Sequence, residues 1–98
     1  MIRQVSIASD SVVVQKPGAI VSDMNGEKVM LSVENGKYYN LGKQGGRIWE
    51  LIATPIAIPD LVSALMAEYE VDRETCERDV LKFLSALLRE KMIEVSRP

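Results

Sequence analysis

"AIVSDMNGEKVMLSVENGKYYNL", residues Ala19 to Leu41, holds two Asn-Gly pairs between runs rich in Val, Ile, Leu, Met and Tyr. Asn-Gly readily takes the positive φ angles of a two-residue hairpin turn, whose twist matches that of the flanking strands. The pairs Asn25-Gly26 and Asn35-Gly36 therefore divide the stretch into strands at Ala19–Met24, Lys28–Glu34 and Lys37–Leu41. The result is an antiparallel meander with its second strand in the middle. Two-residue turns set residue 20 opposite 31 and 22 opposite 29, then 33 opposite 38 and 31 opposite 40. One face then carries Ile20, Val29, Leu31, Val33 and Tyr38, the other Val21, Met30, Tyr39 and Leu41. Neither face is cleanly polar, and a bulge at the second turn would shift the register, so the pattern leaves the core face open.

Downstream, the hydrophobic period changes from strand to helix. Gly42, Gly45 and Gly46 mark a corner, and a first helix is expected over about Gln44–Ala53, with Ile48, Trp49 and Ile52 on one stripe. Thr54-Pro55 ends it. A second helix opens at Pro59, a favourable first-turn residue, and runs to about Tyr69. A third is capped by Asp72, carries Glu74 in its first turn and continues to about Lys91. Its apolar positions form two neighbouring stripes, Cys76-Val80-Phe83-Leu87 and Leu81-Leu84-Leu88, which implies two things to pack against. Met92–Ser96 reads as a short extended tail. Upstream, Val12-Val13-Val14-Gln15 lies within a segment that reads as an arm or a short strand. The division expected is an N-terminal arm, 1–17, and a folded domain, 18–98. The order βββααα makes this an α+β, winged-helix-like fold.

Composition narrows the function. Ninety-eight residues suffice for one core, and no apolar run approaches the ~20 residues of a membrane-spanning helix. With no signal-peptide pattern and a single Cys, the expected location is the cytoplasm. The absence of His removes the commonest general base and metal ligand, so no metal and no cofactor are expected. A net charge of −2 gives no electrostatic footprint for nucleic acid, and charges along the third helix cancel. The glycine cluster at 42–46 lacks both the P-loop and the dinucleotide fingerprint and reads as a structural corner. Cys76 and Trp49 read as core. What remains is the third strand, whose outer edge is either covered by the arm, paired with a second copy, or open beside an apolar helix face. The last arrangement suits strand addition by a peptide.

The run Tyr39-x-Leu41-x-x-x-Gly45-x-x-Ile48-Trp49-x-Leu51, then Leu61, Leu65, Tyr69-x-Val71-Asp72, Asp79-Val80-x-x-Phe83-Leu84-x-x-Leu87 and Met92-Ile93-x-Val95, spans most of the chain. In order and spacing these residues resemble the PqqD-like family, also called RiPP recognition elements. Ile48-Trp49 and Tyr69-x-Val71-Asp72 look most like the freestanding leader-binding proteins of lasso peptide clusters. The resemblance implies a non-catalytic adaptor that binds the leader of a ribosomally made precursor peptide. It further implies antiparallel docking along the third strand against the third helix, with Lys37, Tyr38, Tyr39, Asn40 and Leu41 on the strand. On the helix it implies Glu77, Arg78, Val80, Leu81 and Leu84, with Leu81 and Leu84 flooring the pocket and Arg78 or Glu77 reading a charge. The implied partners are a separate cysteine-protease-like leader peptidase and an ATP-dependent macrocyclase, with no nucleic acid or membrane, the protein being a monomer or weak dimer. The alternatives are a PqqD-type peptide chaperone of pyrroloquinoline quinone synthesis and a winged-helix DNA-binding module. The chain departs from the family pattern at Gly42, where the family often has a capping Asn, and at Lys91, where it usually has Gly.

Overall fold

In chain order, the computed structural model of residues 7–96 contains β1 (Val12–Gln15), β2 (Ala19–Met24), β3 (Glu27–Ser32), β4 (Lys37–Leu41), α1 (Gly42–Leu51), β5 (Ile56–Ala57), α2 (Ile58–Glu68), α3 (Arg73–Arg89) and β6 (Ile93–Ser96). The α+β class and the order of the meander and its helices are those read from the sequence. Of the expected arm, residues 1–6 lie outside the described range. Its strand-forming patch is β1.

The first hairpin has the expected register, with Ile20 opposite Leu31 and Ser22 opposite Val29. Asn25 and Gly26 both take positive φ, 57° and 82°, as such a turn requires. The second hairpin differs. β3 ends at Ser32 rather than Glu34, and Leu31 faces Tyr38 instead of Asn40. Side chains explain the change. The Ser32 hydroxyl accepts the Asn35 N–H at 3.1 Å, and the Ser32 carbonyl accepts the Gly36 N–H at 2.8 Å. These bonds stabilise a four-residue loop from Val33 to Gly36 in place of the two-residue turn. The slip is two residues, so every side chain keeps its expected face. Met30 is fully buried, and Val21, Tyr39 and Leu41 pack beside it, which makes theirs the core face.

The segments on either side of the meander form a second sheet, ordered β5-β1-β6. Val13 faces Ile56 on one side and Val95 on the other. Two-residue β5 is too short to show a period, and the extended tail becomes β6 because β1 supplies its partner. β4 therefore stays at the edge of its own sheet, ordered β2-β3-β4.

The helices begin within two residues of their expected starts. Gly42 has φ +71° and opens α1; its N–H is accepted by the Asn40 side-chain oxygen at 3.0 Å. Asn40 thus holds the first amide of the helix, while the N-cap residue, Leu41, offers no side-chain cap. Asp72 caps α3 by accepting the Thr75 N–H at 3.0 Å. Cys76, Val80, Leu84 and Leu87 form one buried seam of α3, with Phe83 half-buried on one flank and Leu81 and Leu88 on the other. That seam, the helix stripes of α1 and α2, and Val13, Met30 and Ile93 make up the core.

A groove between an open strand and the third helix

Antiparallel geometry decides which backbone groups of β4 are free. A two-residue turn is closed by a hydrogen-bonded pair, here Met24–Glu27, and bonded pairs then alternate along the ladder. Val29 and Leu31 accordingly turn their amides and carbonyls toward β2, which leaves Met30 and Ser32 to bond Tyr39 and Lys37. Along β4, therefore, Lys37 and Tyr39 are satisfied by β3. Tyr38 and Asn40 aim both N–H and C=O away from the sheet. These four groups form an open edge, and no described strand pairs with them.

Beside this edge runs one flank of α3. A half-buried Phe83 packs toward α1 and the end of β4: a Cβ added at Gly45 would lie 2.9 Å from its ring and 3.4 Å from the Leu41 Cβ. Leu41, Gly45, Ile48, Phe83 and Asp79 line a hollow of about 310 Å³ at this end, with Lys43 at its rim. At the other end of β4 a second hollow, about 330 Å³, is lined by Glu34, Asn35, Lys37, Arg89, Glu90 and Lys91. One end of the groove is floored by apolar side chains with Asp79 and Lys43 beside them, and the other is lined almost wholly by charged and polar ones.

A polar tie between these ends holds β4 to the helix. The Tyr39 hydroxyl donates to Glu90 Oε1 at 2.5 Å, the Lys37 Nζ lies 3.6 Å from the same oxygen, and the Asn35 amide donates to the Glu90 carbonyl at 2.9 Å. The hydroxyl donor and the nearby ammonium hold the Glu90 carboxyl below the usual carboxylate range, and the carboxylate in turn pushes the Tyr39 phenol up. Just after this point α3 ends in a left-handed residue, Lys91, at φ 59°. The Lys91 N–H bonds the Leu88 carbonyl at 3.0 Å and the Met92 N–H bonds the Leu87 carbonyl at 2.9 Å, the Schellman pattern that glycine usually completes.

The residues expected at the site do not all meet. Lys37, Tyr39 and Leu41 point to the groove side of β4, while Tyr38 and Asn40 turn their side chains to the outer face with Ile20 and Leu31. Tyr38 is 75% exposed. On α3, Val80 and Leu84 are sealed in the core at 0% exposure. Glu77 lines a different hollow with Asp10, Pro59 and Arg73, and Leu81, one turn on, shares that far flank. Arg78 is exposed on the surface of the helix. The residues that face β4 are instead Asp79 and Phe83 of α3 and Glu90, its C-cap. They occupy one flank of the buried seam, and the i, i+4 relation of Asp79 and Phe83 was visible once that seam was placed.

Among the described residues, no cluster of His, Cys, Asp and Glu could hold a metal, and no helix is long and apolar enough to cross a membrane. Burial raises the Cys76 thiol above its usual range.

A small sheet with an exposed edge, laid against three helices, defines the chain as a winged-helix-like domain. Comparison with known proteins places it further. Residues 27–93 match the family described as Coenzyme PQQ synthesis protein D (PqqD), and the chain belongs to that family. One similar solved structure is TbiB1 in complex with the TbiA(beta) leader peptide, 34% identical, covering 83% of this chain and 94% of that one with a TM-score of 0.74. Another is a lasso peptide synthetase B1 complexed with the leader peptide, 24% identical, covering 84% of this chain and 96% of that one with a TM-score of 0.72; it supports the fold. No curated protein sequence matches. The chain is thus a PqqD-like RiPP recognition element, similar to TbiB1 and sharing its fold with a lasso peptide synthetase B1.

Proposed function

We propose that the chain recognises the leader of a ribosomally synthesised precursor peptide, which adds as an antiparallel strand beside β4. The observation that carries this reading is the pairing of an open edge at Tyr38 and Asn40 with a groove whose floor includes Leu41 and Phe83. The four outward backbone groups supply main-chain bonds, and the groove selects side chains at alternate peptide positions. Contacts come from Lys37–Leu41 and from the Asp79-Phe83-Glu90 flank of α3. Val80 and Leu84 support Phe83 from beneath.

In this reading the protein performs no chemistry. It has no His, and its one thiol is buried against the Val62 carbonyl. It acts in the cytoplasm as an adaptor of lasso peptide biosynthesis, presenting the bound precursor to a separate cysteine-protease-like leader peptidase and then to an ATP-dependent macrocyclase. Tethering the leader raises its effective concentration at the protease. The same edge would serve a peptide chaperone of pyrroloquinoline quinone synthesis, the pathway named in the family's description. The two readings differ in which leader binds.

Titration of the isotope-labelled protein with the leader of the precursor encoded beside its gene tests the reading. Amide shifts concentrated on Lys37–Leu41 and on α3 around Asp79 and Phe83 are expected. Saturable binding with shifts confined to other elements would overturn the groove assignment.

A further inference from the structure

Resting on the leader-docking reading above, we propose that the charged end of the groove takes a carboxylate side chain of the leader. The carboxylate belongs to the segment immediately following the docked strand, and Arg89 and Lys91 receive it. In an antiparallel addition the peptide enters at the Leu41 end and leaves past Lys37, so its next residues run over the hollow between Lys37 and the end of α3. About six residues beyond the docked strand, some 20 Å of extended chain, stay within reach of this end.

Charge bookkeeping inside the hollow favours an acid. Of its two carboxylates, Glu90 is already engaged by the Tyr39 hydroxyl and by Lys37. Glu34 is the other and lies exposed on the β3–β4 loop. Arg89 and Lys91 are both exposed, and neither has an ion-pair partner among the described residues. Lys91 also borders an adjoining hollow of about 230 Å³, where Lys16 adds a cation and Glu34 again supplies the one carboxylate. The backbone adds a separate observation. Lys91 holds a left-handed conformation that costs an L-residue roughly 1–2 kcal/mol and that glycine would adopt freely. A side chain kept under such strain at a groove mouth points to use of that side chain. The opposite end of the groove is floored by Leu41, Ile48 and Phe83, with one anion and one cation in Asp79 and Lys43, so an acid here would also fix the direction and register of the peptide.

The test pairs two peptides with two proteins. The peptides are the leader of the precursor encoded beside the gene and a version with Asp and Glu in the six or so residues after the docked segment changed to Asn and Gln. The proteins are the wild type and Arg89→Gln/Lys91→Asn, because Asn tolerates the left-handed conformation. Fluorescence anisotropy gives the four dissociation constants at each of about 50 and about 300 mM salt. Amidation is expected to weaken binding to the wild type about fivefold at low salt and to leave the variant nearly indifferent. A leader with no acid in that segment, equal losses in both proteins, or no loss in either would overturn the inference while leaving strand addition intact. A leader that binds without shifting the Tyr38 and Asn40 amides would bring down the docking reading itself.

Discussion

Replacing Lys91 with Gly should make the protein more stable, although it removes a side chain and adds none. Lys91 sits at φ 59°, and the two Schellman bonds that close α3 depend on that conformation. An L-residue there costs about 1–2 kcal/mol, which glycine recovers. Glycine also makes the unfolded chain freer, which returns roughly 0.5–1 kcal/mol of that gain. The net expectation is about 0.5–1 kcal/mol of added stability. For a domain of this size that is a rise in Tm of very roughly 2–8 °C. Lys91→Ala is the control, since it removes the same side chain but keeps the strain; its Tm should stay close to the wild type. Thermal unfolding followed by circular dichroism, with urea titration as a second measure, reads both variants. If Lys91→Gly were neutral or destabilising, or if Lys91→Ala gained as much, the left-handed closure of α3 would be refuted.

The remaining predictions concern the groove and its tie. Tyr38→Pro removes an outward N–H and should leave the circular dichroism spectrum unchanged while weakening leader binding severalfold; Tyr39→Pro breaks a β3–β4 ladder bond and should lower Tm instead. Gly45→Ala places a methyl 2.9 Å from the Phe83 ring, so it should cost about 1–3 kcal/mol in urea unfolding, and Phe83→Leu in the same chain should recover part of it. Glu90 titrates below its ordinary range in the folded state because of Tyr39 and Lys37, so its contribution is fully present above the unfolded value near 4.5 and is lost as pH falls through the lower folded one. Between neutral pH and pH ~3 the Tm of Glu90→Gln should therefore fall less than that of the wild type. Asp72→Ala should cost about 1 kcal/mol by leaving the Thr75 N–H uncapped.

How much of this was legible in the sequence follows from where local chemistry decides. Asn25-Gly26 forms a tight turn on backbone preference alone, so the β2–β3 register could be counted out in advance. Asn35-Gly36 carries the same pair, but Ser32 and Glu90 compete for its groups, and the longer loop depends on a contact 55 residues away. The Asp72 cap and the starts of α2 and α3 rest on single residues and were visible. β5 has two residues and exists because β1 lies beside it. At the site, the strand edge was legible because it follows from the meander. The helix face was not, because apolar periodicity marks what a helix buries, and Val80 and Leu84 went to the core. The groove uses the neighbouring flank, where an acid, an aromatic and an acid at Asp79, Phe83 and Glu90 give no periodic signal. Gly45 was the clue to it: a glycine one turn into a helix marked where an aromatic ring comes close.

Amide hydrogen exchange on the free and leader-bound protein tests strand addition to β4 most directly. Lys37 and Tyr39 donate to β3 in both states, so their exchange should already be slow. Tyr38 and Asn40 donate outward, so theirs should be fast in the free protein and should slow sharply when the leader binds. Alternating protection, gained at Tyr38 and Asn40 alone along the strand, is the predicted result. A bound leader that leaves those two amides exchanging as fast as before would contradict it.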